Sequence, residues 1–127
     1  MIITLVLAYL ELAYAVRVVK FGLSEGNVPE KGRDISMLCE VEISAEDGIL
    51  TLNILKGDTK IADCFMNAGN LPCSKVHGVS TRYTFTNNQP SVIISITNLQ
   101  KADGGNWYCG FQTTGNQLFT LMVYSKY

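Results

Sequence analysis

The chain has 127 residues, enough for one domain with a real core and too few for two independent ones. Its 11 acids and 10 bases nearly balance, and no run of like charge exceeds two residues. That excludes a nucleic-acid groove or a polybasic membrane patch as the organising feature of the surface.

The first fifteen residues, MIITLVLAYLELAYA, form an apolar run ending in Ala13-Tyr14-Ala15, with small residues at the two positions a signal peptidase reads. They read as a signal peptide over 1–15, ahead of a domain over 16–127. The run is shorter than the about 20 residues a membrane span needs, and no other segment approaches that length, so no membrane insertion by this chain is expected. Its removal takes Glu11 with it and leaves acids and bases equal in number.

Beyond this point helix signals nearly vanish. Short segments of alternating polarity recur between Gly, Asn, Asp and Pro, the rhythm of an all-β domain. In order they are a weak strand VRVVKFG (16–22), then DISMLCEVEI (34–43), GILTLNILKG (48–57), a weak TKIAD (59–63), RYTFT (82–86), SVIISITNL (91–99), NWYCGFQ (106–112) and LFTLMVYS (118–125). Side chains alternate along a strand, so Leu50, Leu52 and Ile54 share one face, Ile35, Met37, Cys39 and Val41 another, and Val92, Ile94 and Ile96 a third. Seven to nine such strands suit a two-sheet sandwich.

Four cysteines, Cys39, Cys64, Cys73 and Cys109, stand behind the signal sequence, and an even number in that setting points to disulfides in an oxidising compartment. Spacing alone allows three pairings. Asp63, Cys64, Cys73 and His77 have the ligand types of a zinc site, but secreted thiols oxidise and the spacing matches no common finger, so no metal is expected. A single histidine and the absence of Gly-x-Ser-x-Gly, His-Glu-x-x-His and phosphate-loop patterns leave no catalytic constellation and no cofactor motif. No Asn-x-Ser/Thr acceptor occurs, so N-glycans are not expected to shield the surface.

The stretch ISITNLQKADGGNWYCG resembles the corner and following strand of immunoglobulin variable-type (V-set) domains, in which apolar alternation and a Leu lead into Asp-x-Gly-x-Tyr-x-Cys. Ile94, Ile96 and Leu99 match the apolar positions, Asp103 and Gly105 the corner, Cys109 the second cysteine and Cys39, in ISMLCEV, the first. Arg82 resembles the Arg that pairs with this Asp, and NILKGDTKI is similar to the family's third strand. The resemblance spans residues 35–124. It implies an immunoglobulin-like two-sheet Greek-key sandwich with a Cys39–Cys109 bridge between the sheets, which leaves Cys64 and Cys73 to each other, as in innate-receptor and invertebrate variable-type domains with an extra disulfide. It also implies structural roles for Arg82, Asp103, Gly105 and Trp107, the last standing in the tyrosine-corner position. The family's third-strand Trp is replaced by Leu52 or Ile54, and no Phe-Gly-x-Gly bulge follows, which separates the chain from antigen-receptor variable domains of the usual kind.

With Cys109 pointing inward, strand parity turns Trp107 and Phe111 inward and Tyr108, Gly110 and Gln112 outward, beside Thr51, Asn53 and Leu55 and beside Leu118, Thr120, Met122 and Tyr124. Tyr and Met favour interface cores. A protein-binding face is therefore expected at Tyr108, Leu55 and Tyr124, with Asn53, Gln112 and Met122 around them. The loops at 43–48 and 112–117 form a second, shallower surface, the latter with Gly115-Asn116 as a tight turn. The resulting expectation is a secreted or cell-surface recognition module for a protein ligand, with a homodimerising adhesion unit as the alternative. On either reading the chain is a complete secreted domain or a piece of a larger receptor.

Overall fold

The computed structural model describes residues 17–42, 50–66, 72–88, 91–111 and 115–125. The expected signal peptide, the loop at 43–48 and Gln112 lie outside them. Among the described residues nine strands follow in order: β1 Arg17–Leu23, β2 Ile35–Glu42, β3 Leu50–Lys56, β4 Thr59–Met66, β5 Cys73–Lys75, β6 Tyr83–Asn88, β7 Ser91–Ile96, β8 Gly105–Phe111 and β9 Gly115–Leu121, with one 3-10 turn at Lys101–Asp103 before β8. They form a four-stranded sheet, β1-β2-β7-β6, and a five-stranded sheet, β5-β4-β3-β8-β9, and every strand pairing is antiparallel.

The period-2 alternation seen in the sequence is the reason the two sheets stack. β2 alternates buried Ile35, Met37, Cys39 and Val41 with wetter residues, and β7 turns Val92, Ile94 and Ile96 the same way. From the opposite sheet Leu52, Ile54, Ala62, Cys64, Trp107, Cys109 and Phe111 meet them, each at most 1% exposed. Burying a large apolar side chain of this kind stabilises by about 1.5–3 kcal/mol, so the interior between the sheets dominates the fold. Both Leu52 and Ile54 fill the inner face of β3, and Ile54 is the register partner of Cys109. The large aromatic of the core comes instead from β8, where Trp107 is fully buried with its ring edge-on to Tyr83 at 5.4 Å.

Two disulfides brace this arrangement. Cys39–Cys109 joins β2 to β8 across the sandwich, and Cys64–Cys73 joins β4 to β5 within one sheet at paired register positions. No described cysteine is free. Two disulfides in a small β domain fit an extracellular location. Among the described residues no helix is long and apolar enough to cross a membrane, and no group of His, Cys, Asp or Glu is placed to hold a metal.

Several strand limits differ from the pattern in the sequence; β6 runs on to Asn88, past the expected 86, and β7 stops at Ile96, three residues before the expected 99. β5 is too short, at three residues, to leave a periodic signature, and its pairing with β4 defines it. β4 runs on to Met66, beyond the expected end at Asp63, because β3 pairs with it through Cys64, Phe65 and Met66. β9 begins at Gly115 and ends at Leu121, earlier at both ends than the expected 118–125. Its limits are those of β8: Gly115 pairs with Phe111 and Leu121 with Gly105, and the 3-10 turn before Gly105 leaves no strand for later residues to pair with. Gly115 and Asn116 are consequently ladder residues and not the expected turn.

Candidate functional site

Two groupings of polar and aromatic side chains stand out, one inside the sandwich and one on its outer surface. The inner grouping is built on Asp103, which is 1% exposed. The 3-10 turn carries its carboxylate under the end of the sandwich, where Arg82, from the turn before β6, donates from Nη1 to Oδ2 at 2.7 Å and from Nη2 to Oδ1 at 2.8 Å. The Tyr83 hydroxyl donates to Oδ1, and the Gln100 backbone N–H donates to Oδ2 at 2.7 Å. Arg82 Nη1 also faces the carbonyls of Thr97 and Asn98 at 3.3 and 3.2 Å. The Trp107 indole N–H donates to the Asp103 carbonyl at 2.9 Å.

Burial by itself pushes the Asp103 carboxyl up, but the bonds from Arg82, Tyr83 and the Gln100 N–H outweigh it and hold the group below the usual carboxylate range. Burial, reinforced by the neighbouring carboxylate, pushes the Tyr83 hydroxyl well above its ordinary value. An ionised, fully bonded carboxylate beside a tyrosine held neutral has no lone pair aimed at solvent and no proton ready to move. Its chemistry is cohesion: it ties the turn before β6, in one sheet, to the approach to β8 in the other. Gly105, at φ +119°, gives the backbone the conformation that turns this corner into β8.

Tyr83 is the member that sequence reasoning missed. An aromatic directly after Arg82 at a strand start was the available signal.

The outer grouping follows from β8. Its inward residues are Trp107, Cys109 and Phe111, so Tyr108 and Gly110 face out. Register then assembles rows across the sheet. Leu55 pairs with Tyr108 and Tyr108 with Leu118, with Lys60 beside Leu55 on β4. The next row runs Asp63, Asn53, Gly110, Asn116, and beyond it Thr51 pairs with Phe65. Leu118 is 52% exposed and Phe65 45%, while Leu55 and Tyr108 are half-buried. Phe65 was not anticipated; an inward Cys64 was the signal that its neighbour points out. Lys60 Nζ lies 3.0 Å from Asp63 Oδ1, which neutralises the charges on this side of the face.

Gly110 shapes the middle of the surface. It points outward yet is buried, because Asn116 and the Gly115 carbonyl close over it; a Cβ built there would stand 2.3 Å from Gly115 O and 2.5 Å from Asn116 Cα. An open concavity of about 300 Å3 lies beside it, lined by Asn53, Leu55, Lys60, Phe111, Gly115 and Asn116. Gly110→Ala is expected to cost about 2 kcal/mol or more, because two of the three nearest obstructing atoms are backbone and the two strands must spread to admit a methyl group. Guanidinium unfolding of the variant measures this.

The structure brings Leu55, Asn53 and Tyr108 together and separates two of the expected members from them. Met122, 77% exposed, and Tyr124 lie past the end of β9. Tyr124 N–H donates to the Pro29 carbonyl at 3.1 Å and its carbonyl accepts from Lys31 N–H at 2.8 Å, forming a parallel bridge with the segment before β2. Lys101 Nζ holds the Val123 carbonyl at 2.9 Å. The chain thus leaves the row of Tyr108 once β8 has no more residues to offer, and Leu118 occupies the place beside Tyr108.

No protein-family model matches the sequence, and no curated protein matches it.

Proposed function

We propose that this chain is an extracellular, variable-type immunoglobulin-like recognition module, and not a catalyst, that binds a protein partner through the outer face of β4, β3, β8 and β9. The strand order supports the variable-type reading: two additional strands, β4 and β5, extend the sheet holding β3, β8 and β9, as the variable type extends the constant type. The sheet-to-sheet cystine and the Arg82–Asp103 pair support it further.

The observation that carries the binding reading is the row Leu55–Tyr108–Leu118, three apolar or aromatic side chains in register on adjacent strands of the outer face, Leu118 exposed and Leu55 and Tyr108 half-buried. Tyr supplies a large contact area at little entropic cost, and interface energy concentrates in such central aromatic anchors with neutral surroundings. The Lys60–Asp63 pair and the amides of Asn53 and Asn116 form the polar surround.

The test is an extracellular binding screen with the folded protein, followed by Tyr108→Ala. At a central anchor the substitution weakens binding by about 2 kcal/mol, or roughly thirtyfold, with unfolding behaviour retained. Unchanged affinity removes the face from consideration.

A further inference from the structure

The five-stranded sheet ends in a strand whose outer edge carries none of the usual safeguards. Sheet edges expose unpaired backbone groups, and soluble proteins blunt them with charge, proline, bulges or shortness. Two of the other three edges are blunted in those ways. β1 bears Arg17 and Lys20 and a register shift between Val18 and Lys20. β5 is three residues long, follows Pro72 and ends in Lys75. β6 has no charge, proline or bulge of its own, but it is one residue shorter than β9 and the carbonyl of its first residue, Tyr83, is taken by Lys75 Nζ at 3.1 Å. β9 is seven residues long with an unbroken register, and from Gly104 to Ser125 the sequence contains no charged residue and no proline.

The direction of the β9 backbone groups follows from two hydrogen bonds. Gly57 N–H donates to the Asn106 carbonyl at 2.8 Å, so Asn106, Tyr108 and Gly110 spend their backbone groups on β3. Their register partners Thr120, Leu118 and Asn116 therefore aim N–H and C=O away from β8, toward the open edge. Tyr124, of the same parity, confirms the direction, since its N–H and C=O bond to Pro29 and Lys31 on that side. Among the described residues nothing bonds to the edge groups of Asn116, Leu118 and Thr120, and all three residues are exposed.

We infer that β9 pairs edge to edge with β9 of a second copy of this chain, antiparallel about a two-fold axis through Leu118. Asn116 then faces Thr120 of the second copy and the two Leu118 residues face each other, which satisfies the edge groups of all three positions in both copies. Neutrality selects this occupant: a two-fold places each residue opposite its own kind or its symmetry mate, where a charged strand would oppose like charges. The Leu118 side chains sit on the outer face, so pairing joins the Leu55–Tyr108–Leu118 rows of the two copies into one apolar stripe across six strands. The pairing uses the sheet edge and does not depend on the partner-binding reading of the face.

Sedimentation equilibrium of the secreted, disulfide-bonded protein tests it. The expected result is a monomer–dimer equilibrium that Leu118→Lys and Leu118→Glu each weaken by at least about tenfold, while an equimolar mixture of the two variants regains association. A strictly monomeric wild type, a dimer indifferent to both substitutions, or a mixture that does not regain association overturns the inference. A monomer with intact Tyr108-dependent ligand binding overturns the edge pairing alone. A dimer whose Tyr108→Ala variant binds ligand unchanged overturns the face reading alone.

Discussion

Replacing Asp103 by Ala is expected to lower the unfolding free energy by about 3 kcal/mol, the low end of the range for breaking a buried ion pair, because Arg82 keeps part of its side chain in water. Loss of the carboxylate strands three donors at once: the Arg82 guanidinium, the buried Tyr83 hydroxyl and the Gln100 N–H. Arg82→Ala removes one of these partners and leaves the carboxylate with two. The double substitution consequently costs less than the sum of the singles, and a double-mutant cycle by urea unfolding reads the coupling directly. Additive losses mean the pair is not a unit.

The same cluster contributes to stability at both ends of the pH range. Asp103 has its folded-state pKa lowered, so its contribution is fully present above the unfolded carboxylate value and is lost as pH falls through the folded one. Tyr83 has its folded-state pKa raised, so its contribution is present below the unfolded value of about 10 and is lost as pH rises beyond it. The contribution of the cluster is therefore expected to be lost under strongly acidic and under strongly alkaline conditions. Asp103→Asn flattens the acid limb, and Tyr83→Phe flattens the alkaline one.

The second large effect concerns the two disulfides, which are unequal. Cys39–Cys109 spans 70 residues, and removing a cross-link over a loop that long costs about 4 kcal/mol in unfolded-chain entropy. Cys64–Cys73 spans only 9, for which the same relation gives about 2.5 kcal/mol. Position widens the gap. Cys39 and Cys109 are both fully buried at the centre, so their replacement by Ala also opens space between the sheets, whereas the second bridge ties a three-residue strand at the sheet edge. The Cys39→Ala, Cys109→Ala protein is expected to be largely unfolded near physiological temperature. The Cys64→Ala, Cys73→Ala protein keeps a cooperative transition at a lower midpoint. Circular dichroism melts of the two variants decide between equal and unequal roles.

These expectations share a source in the alternation of β8. The period-2 pattern around Trp107, Tyr108, Cys109 and Phe111 was readable without coordinates, because which face a side chain takes is a local property of an extended backbone. Sequence alone likewise indicated that the chain is an all-β sandwich, that Trp107 turns inward, and that Tyr108 and Leu55 turn outward. The resemblance pointed to the Arg82–Asp103 pair and to the partner of each cysteine.

What required the tertiary structure was everything that depends on a strand's neighbours. Tyr83 joins the Asp103 cluster only because the turn at 101–103 comes to rest beneath β6. β9 stops at Leu121 because β8 starts at Gly105, and so Tyr124 bonds to Pro29 and Lys31 while Leu118 stands beside Tyr108. β9 is an open edge, and β3 an interior strand, through the order of strands that far-apart segments adopt. Parity is written residue by residue along the chain. Where a strand ends, and what lies across from it, is set by partners distant in sequence, because a ladder hydrogen bond needs both of its sides.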